Sequence, residues 1–198
     1  MARLIYVPVV HSAAEMGSEA PGYKAAYIAR YGEAKWAKRN AEFDAVWRAI
    51  GAAIDQLGLD FRRVKLYQDS LPVCGREAEL ARDLAAQGSR NHQLLEDLMR
   101  RGATLVGAES PKLLLDEYKL LQSSARTKAQ AAALLEARDR FIAERIEATL
   151  GDDEDGLLFI GALHHVAKFL PARVKVEYLS PRGKNGRSTN AKGDADVH

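Results

Sequence analysis

Four short apolar runs separated by long stretches of helical period constrain this chain more than any other feature. The runs fall at residues 4–10, 64–67, 103–106 and 157–160. The first and last are unbroken rather than alternating, as expected of strands covered on both faces. A fifth run, "VKVEYL" at 174–179, alternates and suits an edge strand. Between the runs, residues 33–57 carry Trp36, Phe43, Val46, Trp47, Ile50 and Ile54, mostly three or four apart. Residues 76–86 and 91–101 read as two more helices, with Gly88 between them. "SPKLLLDEYKLL" opens with Ser110 as N-cap and Pro111 in the first turn, and residues 127–149 make the longest helix. Strands alternating with helices build βαβ units. The predicted fold is therefore α/β: a mostly parallel central sheet flanked by helices, with an alternating strand at its C-terminal edge.

One such domain is expected over residues 1–179, because 198 residues can bury a sizeable core without staples. After Pro181 the chain has no large apolar residue before Val197, so residues 180–198 are expected to form a disordered tail. The net charge is +2, and pairs such as Arg62-Arg63 and Arg100-Arg101 are interleaved with acids. That balance describes a solvated surface and predicts neither a nucleic-acid nor a membrane partner. No stretch approaches the roughly 18 apolar residues of a membrane span. Cys74 is the single cysteine, so no intramolecular disulfide can form, and the opening apolar run is short for a secretory signal. The expected location is the cytoplasm.

Each strand-like run is followed at once by residues that bind metals or move protons. His11 and Glu15 follow the first, Asp69 and Ser70 the second, Glu109 the third, and His164 and His165 the fourth. In open parallel sheets, ligands bind beyond the carboxyl ends of the strands, so these residues would share one rim. Taken singly, each has a plain structural reading. An acid after a strand commonly caps the next helix, and a loop histidine is commonly just hydrogen-bonded. Coincidence across four strands favours a joint site. If strand geometry persisted past residue 160, His164 and His165 would point opposite ways, one to the rim and one into packing.

Other polar residues carry less. His92, at the start of a helix, reads as surface, and Cys74 reads as a small structural hydrophobe. Ser12 and Ser70 lack a G-x-S-x-G elbow. Neither G-x-x-x-x-G-K-[ST] nor G-x-G-x-x-G after a strand occurs, so no nucleotide cofactor is expected. The tyrosines and tryptophans of residues 23–47 keep helical spacing, which suits core or lid better than a stacking platform. The 33–57 helix could equally serve a homo-oligomer interface.

Four segments together resemble a known family. "GALH" at 161–164 resembles the second of the paired G-x-x-H motifs of the TraB/Tiki proteins, whose superfamily includes the erythromycin-esterase-like and ChaN-like proteins. "PVVH" at 8–11 takes the place of the first motif, with Pro8 where the family has glycine. "GAE" at 107–109 resembles the family's glutamate-bearing strand end. "EARDRFIAERI" at 136–146 resembles its E-R-[DN]-x-x-[MI]-A-x-x-I helix. The likeness spans most of residues 3–179 and implies a hydrolase or a ligand binder. Tiki-like members imply metal-dependent peptide cleavage, and esterase-like members a histidine base acting on water without a metal. The likeness puts His11, Glu109 and His164 at family functional positions.

The expectation is therefore metal-assisted hydrolysis of a peptide or ester bond in a small-molecule or peptide substrate. His11, His164 and Glu109 would hold zinc, manganese or cobalt, with Glu109 and Asp69 as catalytic groups. Glu15, His165 and Arg140 are supporting candidates. Arg138 and Arg140 could orient a carboxylate, although their i,i+2 spacing splits them between helix faces. The alternatives are a metal-free histidine-based hydrolase and a non-catalytic ligand-binding or interaction module on the same fold.

Overall fold

The structure, a computed structural model, describes residues 1–9 and 20–180. Its elements run β1 (Ala2–Pro8), α1 (Ala20–Tyr31), α2 (Glu33–Asp55), β2 (Val64–Gln68), α3 (Glu77–Ala86), α4 (Arg90–Arg100), β3 (Thr104–Val106), α5 (Pro111–Gln122), α6 (Lys128–Thr149), β4 (Asp155–Ile160) and β5 (Val174–Tyr178). The strands form one sheet of order β3-β2-β4-β1-β5, and every pairing is parallel. The fold is α/β as predicted, and the sheet is wholly rather than mostly parallel. The alternating run 174–179 supplies β5, which lies at an edge beside β1.

Alternation along the strands divides the core into two layers. Ile5 and Val7 of β1, Val64 and Leu66 of β2, and Leu157 and Phe159 of β4 pack on Trp47, Ile50 and Ile54 of α2 and Leu95 and Leu98 of α4. The intervening residues Leu4, Tyr6, Tyr67, Leu158 and Ile160 pack on Ile142, Ala143 and Ile146 of α6. Burial on both faces is why β1 and β4 are continuous in sequence. Ser110 caps α5 and Thr127 closes a capping box with Gln130 on α6. α1 and α2 meet at Gly32, whose φ of 85° suits a residue without a Cβ. Across that joint Tyr23 and Tyr27 pack edge-on against Trp36, at 6.2 and 5.5 Å between ring centroids. Among the described residues, no helix is long and apolar enough to cross a membrane.

A wholly parallel sheet puts all its strand carboxyl ends on one edge. The chain leaving β2 leads to α4 on one face, while the chain leaving β4 leads to Val166 and Val174 on the other. β2 and β4 are neighbours. Their divergent exits leave a crevice between them, the place where open α/β sheets bind ligands.

Candidate functional site

The crevice is filled by charge. Asp69 follows directly on β2, with its backbone N–H donating to Phe159 O at 2.9 Å. Ser70 next to it has φ +64°, a left-handed conformation uncommon outside glycine, and its hydroxyl donates to Asp69 Oδ1 at 3.1 Å. Glu109 is brought in by a second parallel segment beyond β3. Its N–H donates to Leu71 O, and its carbonyl accepts from Val73 N. Gly107 permits that approach, because a Cβ there would lie 2.8 Å from Val73 Cα. Ser110, not Glu109, caps the helix that follows.

α6 delivers two further groups from its buried face. Arg138 is 4% exposed. Its Nη2 donates to Asp69 Oδ1 at 2.9 Å and to Glu109 Oε1 at 2.5 Å, and its Nη1 donates to Glu117 of α5 at 2.7 Å. Asp139, also buried, accepts from His164 Nδ1 at 2.6 Å and from the His165 backbone N–H at 2.7 Å. The Nε2 of His164 then faces Asp69 Oδ2 at 3.5 Å, and Gly161 N–H donates to the same oxygen at 3.3 Å. One atom from each of Asp69, Glu109 and His164 lies within 4.8 Å of the others, so these three could hold a metal.

Burial shapes the protonation of this group. Burial raises the Glu109 pKa, and Arg138 opposes the rise without cancelling it. Burial alone would lower the His164 pKa, but the bond to Asp139 and the charge of Asp69 outweigh it, and the net shift is upward. Arg138 likewise rises despite burial, because Glu109, Asp69 and Glu117 surround it. Four carboxylates here share one guanidinium and one imidazole. That surplus of negative charge, with a mixed oxygen and nitrogen donor set, fits a divalent cation.

The expected residues distribute unevenly. Asp69, Glu109 and His164 come together, while His11 and Glu15 lie outside the described residues. His165 does not pack in the core; it is exposed and lines, with His164, Gly161 and Pro8, a cavity beyond the ends of β1 and β4. Strand geometry ends at Ile160, the turn Gly161–His164 folds back, and the His165 side chain is left exposed. Arg140 is a correction as well. It points to solvent, pairs with Glu136 at 2.7 Å and lies over Phe169, whereas Arg138 enters the site. Two residues apart on a helix means roughly 200° of rotation, so one of the two had to face away. His92, read as surface, is 7% exposed and bonds Ser89 through Nδ1. Cys74, read as structural, is exposed.

Asp139 was missed by the sequence reading. The signal was present: Arg138 and Asp139 interrupt the stripe Leu135, Ile142, Ala143, Ile146 with charge on a face that otherwise packs. No protein-family model, curated protein or solved structure matches the chain.

Proposed function

We propose that this chain is a metal-dependent hydrolase of peptide or ester bonds, with Asp69, Glu109 and His164 as its centre. The observation that carries this reading is the facing pair Asp69 Oδ2 and His164 Nε2, 3.5 Å apart. Asp139 accepts a hydrogen bond from Nδ1–H, so whenever the ring is neutral its lone pair lies at Nε2. Two acceptors then face each other in a buried crevice, which is repulsive unless a proton or a cation lies between them. A charge-assisted hydrogen bond spans about 2.7–2.9 Å. Two ligands of one metal with bonds near 2 Å lie roughly 3.3 Å apart, closer to the separation seen here. The resemblance to TraB/Tiki proteins in "GALH", "GAE" and "EARDRFIAERI" points the same way.

A bound zinc, manganese or cobalt ion would lower the pKa of water to about 7 and polarise a carbonyl. The chain's own residues supply the rest. Asp139 fixes the His164 tautomer and ring orientation, and raises its basicity at Nε2. Arg138 holds Glu109 and one oxygen of Asp69, leaving Oδ2 of Asp69 directed at His164. Gly161 N–H steadies that oxygen.

One observation favours a metal-free variant: both Glu109 oxygens already accept from Arg138. In that variant His164 Nε2 takes a proton from water, and Asp139 stabilises the imidazolium. Metal analysis separates the two. After incubation with zinc, manganese or cobalt and desalting, near-stoichiometric metal is expected in the wild type and absent from Asp69→Asn and His164→Gln. Peptide and ester hydrolysis lost to chelator and restored by metal completes the case. A metal-free wild type, with hydrolysis indifferent to chelator, overturns it in favour of the histidine base.

A further inference from the structure

Beyond the carboxyl ends of β1 and β4 lies a cavity of about 430 Å³. Small-ligand sites span roughly 300 to 1,000 Å³. Two residues join this cavity to the candidate centre. His164 and Gly161 both line it, His164 also faces Asp69 Oδ2, and the Gly161 N–H donates to the same oxygen at 3.3 Å. The remaining walls are mainly apolar and include Ile160, Leu179, Tyr6 and Tyr178. Tyr6 and Tyr178 are partners across β1 and β5, with ring centroids 5.1 Å apart. Tyr178 is 72% exposed, so it offers an uncovered aromatic surface at the cavity.

Charge enters this cavity with one sign. His165 and Lys168 bracket a single 3₁₀ turn, in which the Lys168 N–H donates to His165 O at 3.0 Å. Side chains three apart on such a turn eclipse, so both emerge on one face, and both line the cavity. Among the described residues no Asp or Glu lines it, and neither His165 nor Lys168 forms an ion pair. The acids in the hollow that these two side chains share with α6 are engaged elsewhere. Glu136 pairs with Arg140, and Asp139 holds His164 and the His165 N–H. An anionic ligand group is thus repelled by the carboxylates of the centre and attracted to Lys168 beside it. We infer that this cavity takes a compact aliphatic or aromatic group ending in a free carboxylate, which Lys168 and the His165 ring receive. One ammonium and one imidazole match a monoanion better than a phosphate, which carries close to two charges. Calling that ligand the substrate rests on the hydrolase reading and deepens it. Substrates with a free carboxyl end, such as a peptide C-terminus, would be selected over capped ones.

The test compares phenylacetate with phenylacetamide, which has the same shape without the charge, and with acetate, which lacks the ring. Each is titrated into the full-length ¹⁵N-labelled chain, and backbone amide shifts are followed. The expected result is saturable shifts around Gly161, His165, Lys168 and Tyr178. Phenylacetate should bind about tenfold more tightly than phenylacetamide, the low end of what a hydrogen bond to a charged group contributes. Acetate should not saturate over the same range. Lys168→Gln should bring phenylacetate down to the affinity of the amide, and Lys168→Arg should keep the preference. Ala162→Phe, which crowds the cavity, should weaken both ring-bearing probes. Residues 162 and 168 are exposed, so these variants leave the core untouched. Equal affinities for phenylacetate and its amide, acetate bound as tightly as phenylacetate, or no saturable shifts at the cavity overturn the inference. A preference that survives Lys168→Gln also overturns it, because the carboxylate is then held elsewhere, as by a metal in the centre. Binding is read without turnover, so failure here leaves the metal analysis standing, and a failed metal analysis leaves this site standing.

Discussion

The two edges of this sheet carry charge in opposite ways. At the amino edge, Arg3 meets Asp155 at 2.8 Å and Glu177 at 3.9 Å, Lys65 meets Glu154 at 3.4 Å, and Arg63 pairs with Asp153. All of these side chains are at least a quarter or so exposed, and water is an alternative partner for each. At the carboxyl edge, Arg138, Asp69, Glu109, Asp139 and His164 have side chains no more than 7% exposed, and they depend on one another. Exposed pairs gain little because solvent competes and screens. Buried groups cannot fall back on solvent, so removing one strands the others. Charge at one edge is replaceable, and at the other it is a coupled unit. Coupling of that kind is characteristic of a site more than of a scaffold.

The largest effect that would sharpen this contrast is expected from Arg138→Met. It leaves Glu109 and Asp69 buried without their cation, and urea unfolding should show a loss of about 3–5 kcal/mol. A loss under about 1 kcal/mol would erase the distinction between the edges. Next comes Asp139→Asn, which keeps the shape but weakens the hold on His164 Nδ1. Metal affinity, read by competition with a chromogenic chelator, should fall about 10–100-fold. An unchanged affinity would remove Asp139 from the machinery.

Tyr67 asks whether burial or position sets the difference. It lies in the core, and its hydroxyl bonds Thr149 near the end of α6 at 2.9 Å. Burial pushes its phenol up to about 12. The unfolded value is about 10. The folded state therefore holds this proton more tightly, so its contribution is intact below about pH 10 and is lost as pH rises through about 12. Denaturation followed from pH 9 to 12 should fall more steeply for wild type than for Tyr67→Phe, and parallel curves would contradict the assignment. The smallest effect belongs to Arg3→Met at the amino edge, expected to cost no more than about 1 kcal/mol. A loss matching that of Arg138→Met would break the comparison outright.

Much of this fold is written locally. The continuous runs at 4–10 and 157–160 announced strands buried on both faces, and β1 and β4 are those strands. Residues 33–57 and 127–149 announced α2 and α6 to within two residues, because apolar period and caps are properties of near neighbours. α1 had only its aromatic spacing to announce it. The strand ends likewise marked Asp69, Glu109 and His164 as polar residues leaving a sheet.

What a linear reading could not supply was their convergence. Asp69 and His164 meet because β4 inserts between β1 and β2, and Glu109 joins because β3 flanks β2. His165 was misplaced for a related reason. Alternation holds only while a strand lasts, and the turn after Ile160 set a new direction. The choice between Arg138 and Arg140 depended on which face of α6 the sheet covers, and Asp139 acquired meaning only once His164 folded back onto it. By itself the sequence determined the elements, their buried faces and the residues at their ends, since backbone sterics and burial act between near neighbours. Strand order and turn direction determined which of those residues share a crevice, because those contacts join positions from 25 residues apart (Asp139 and His164) to 95 apart (Asp69 and His164) and exist only in the assembled fold.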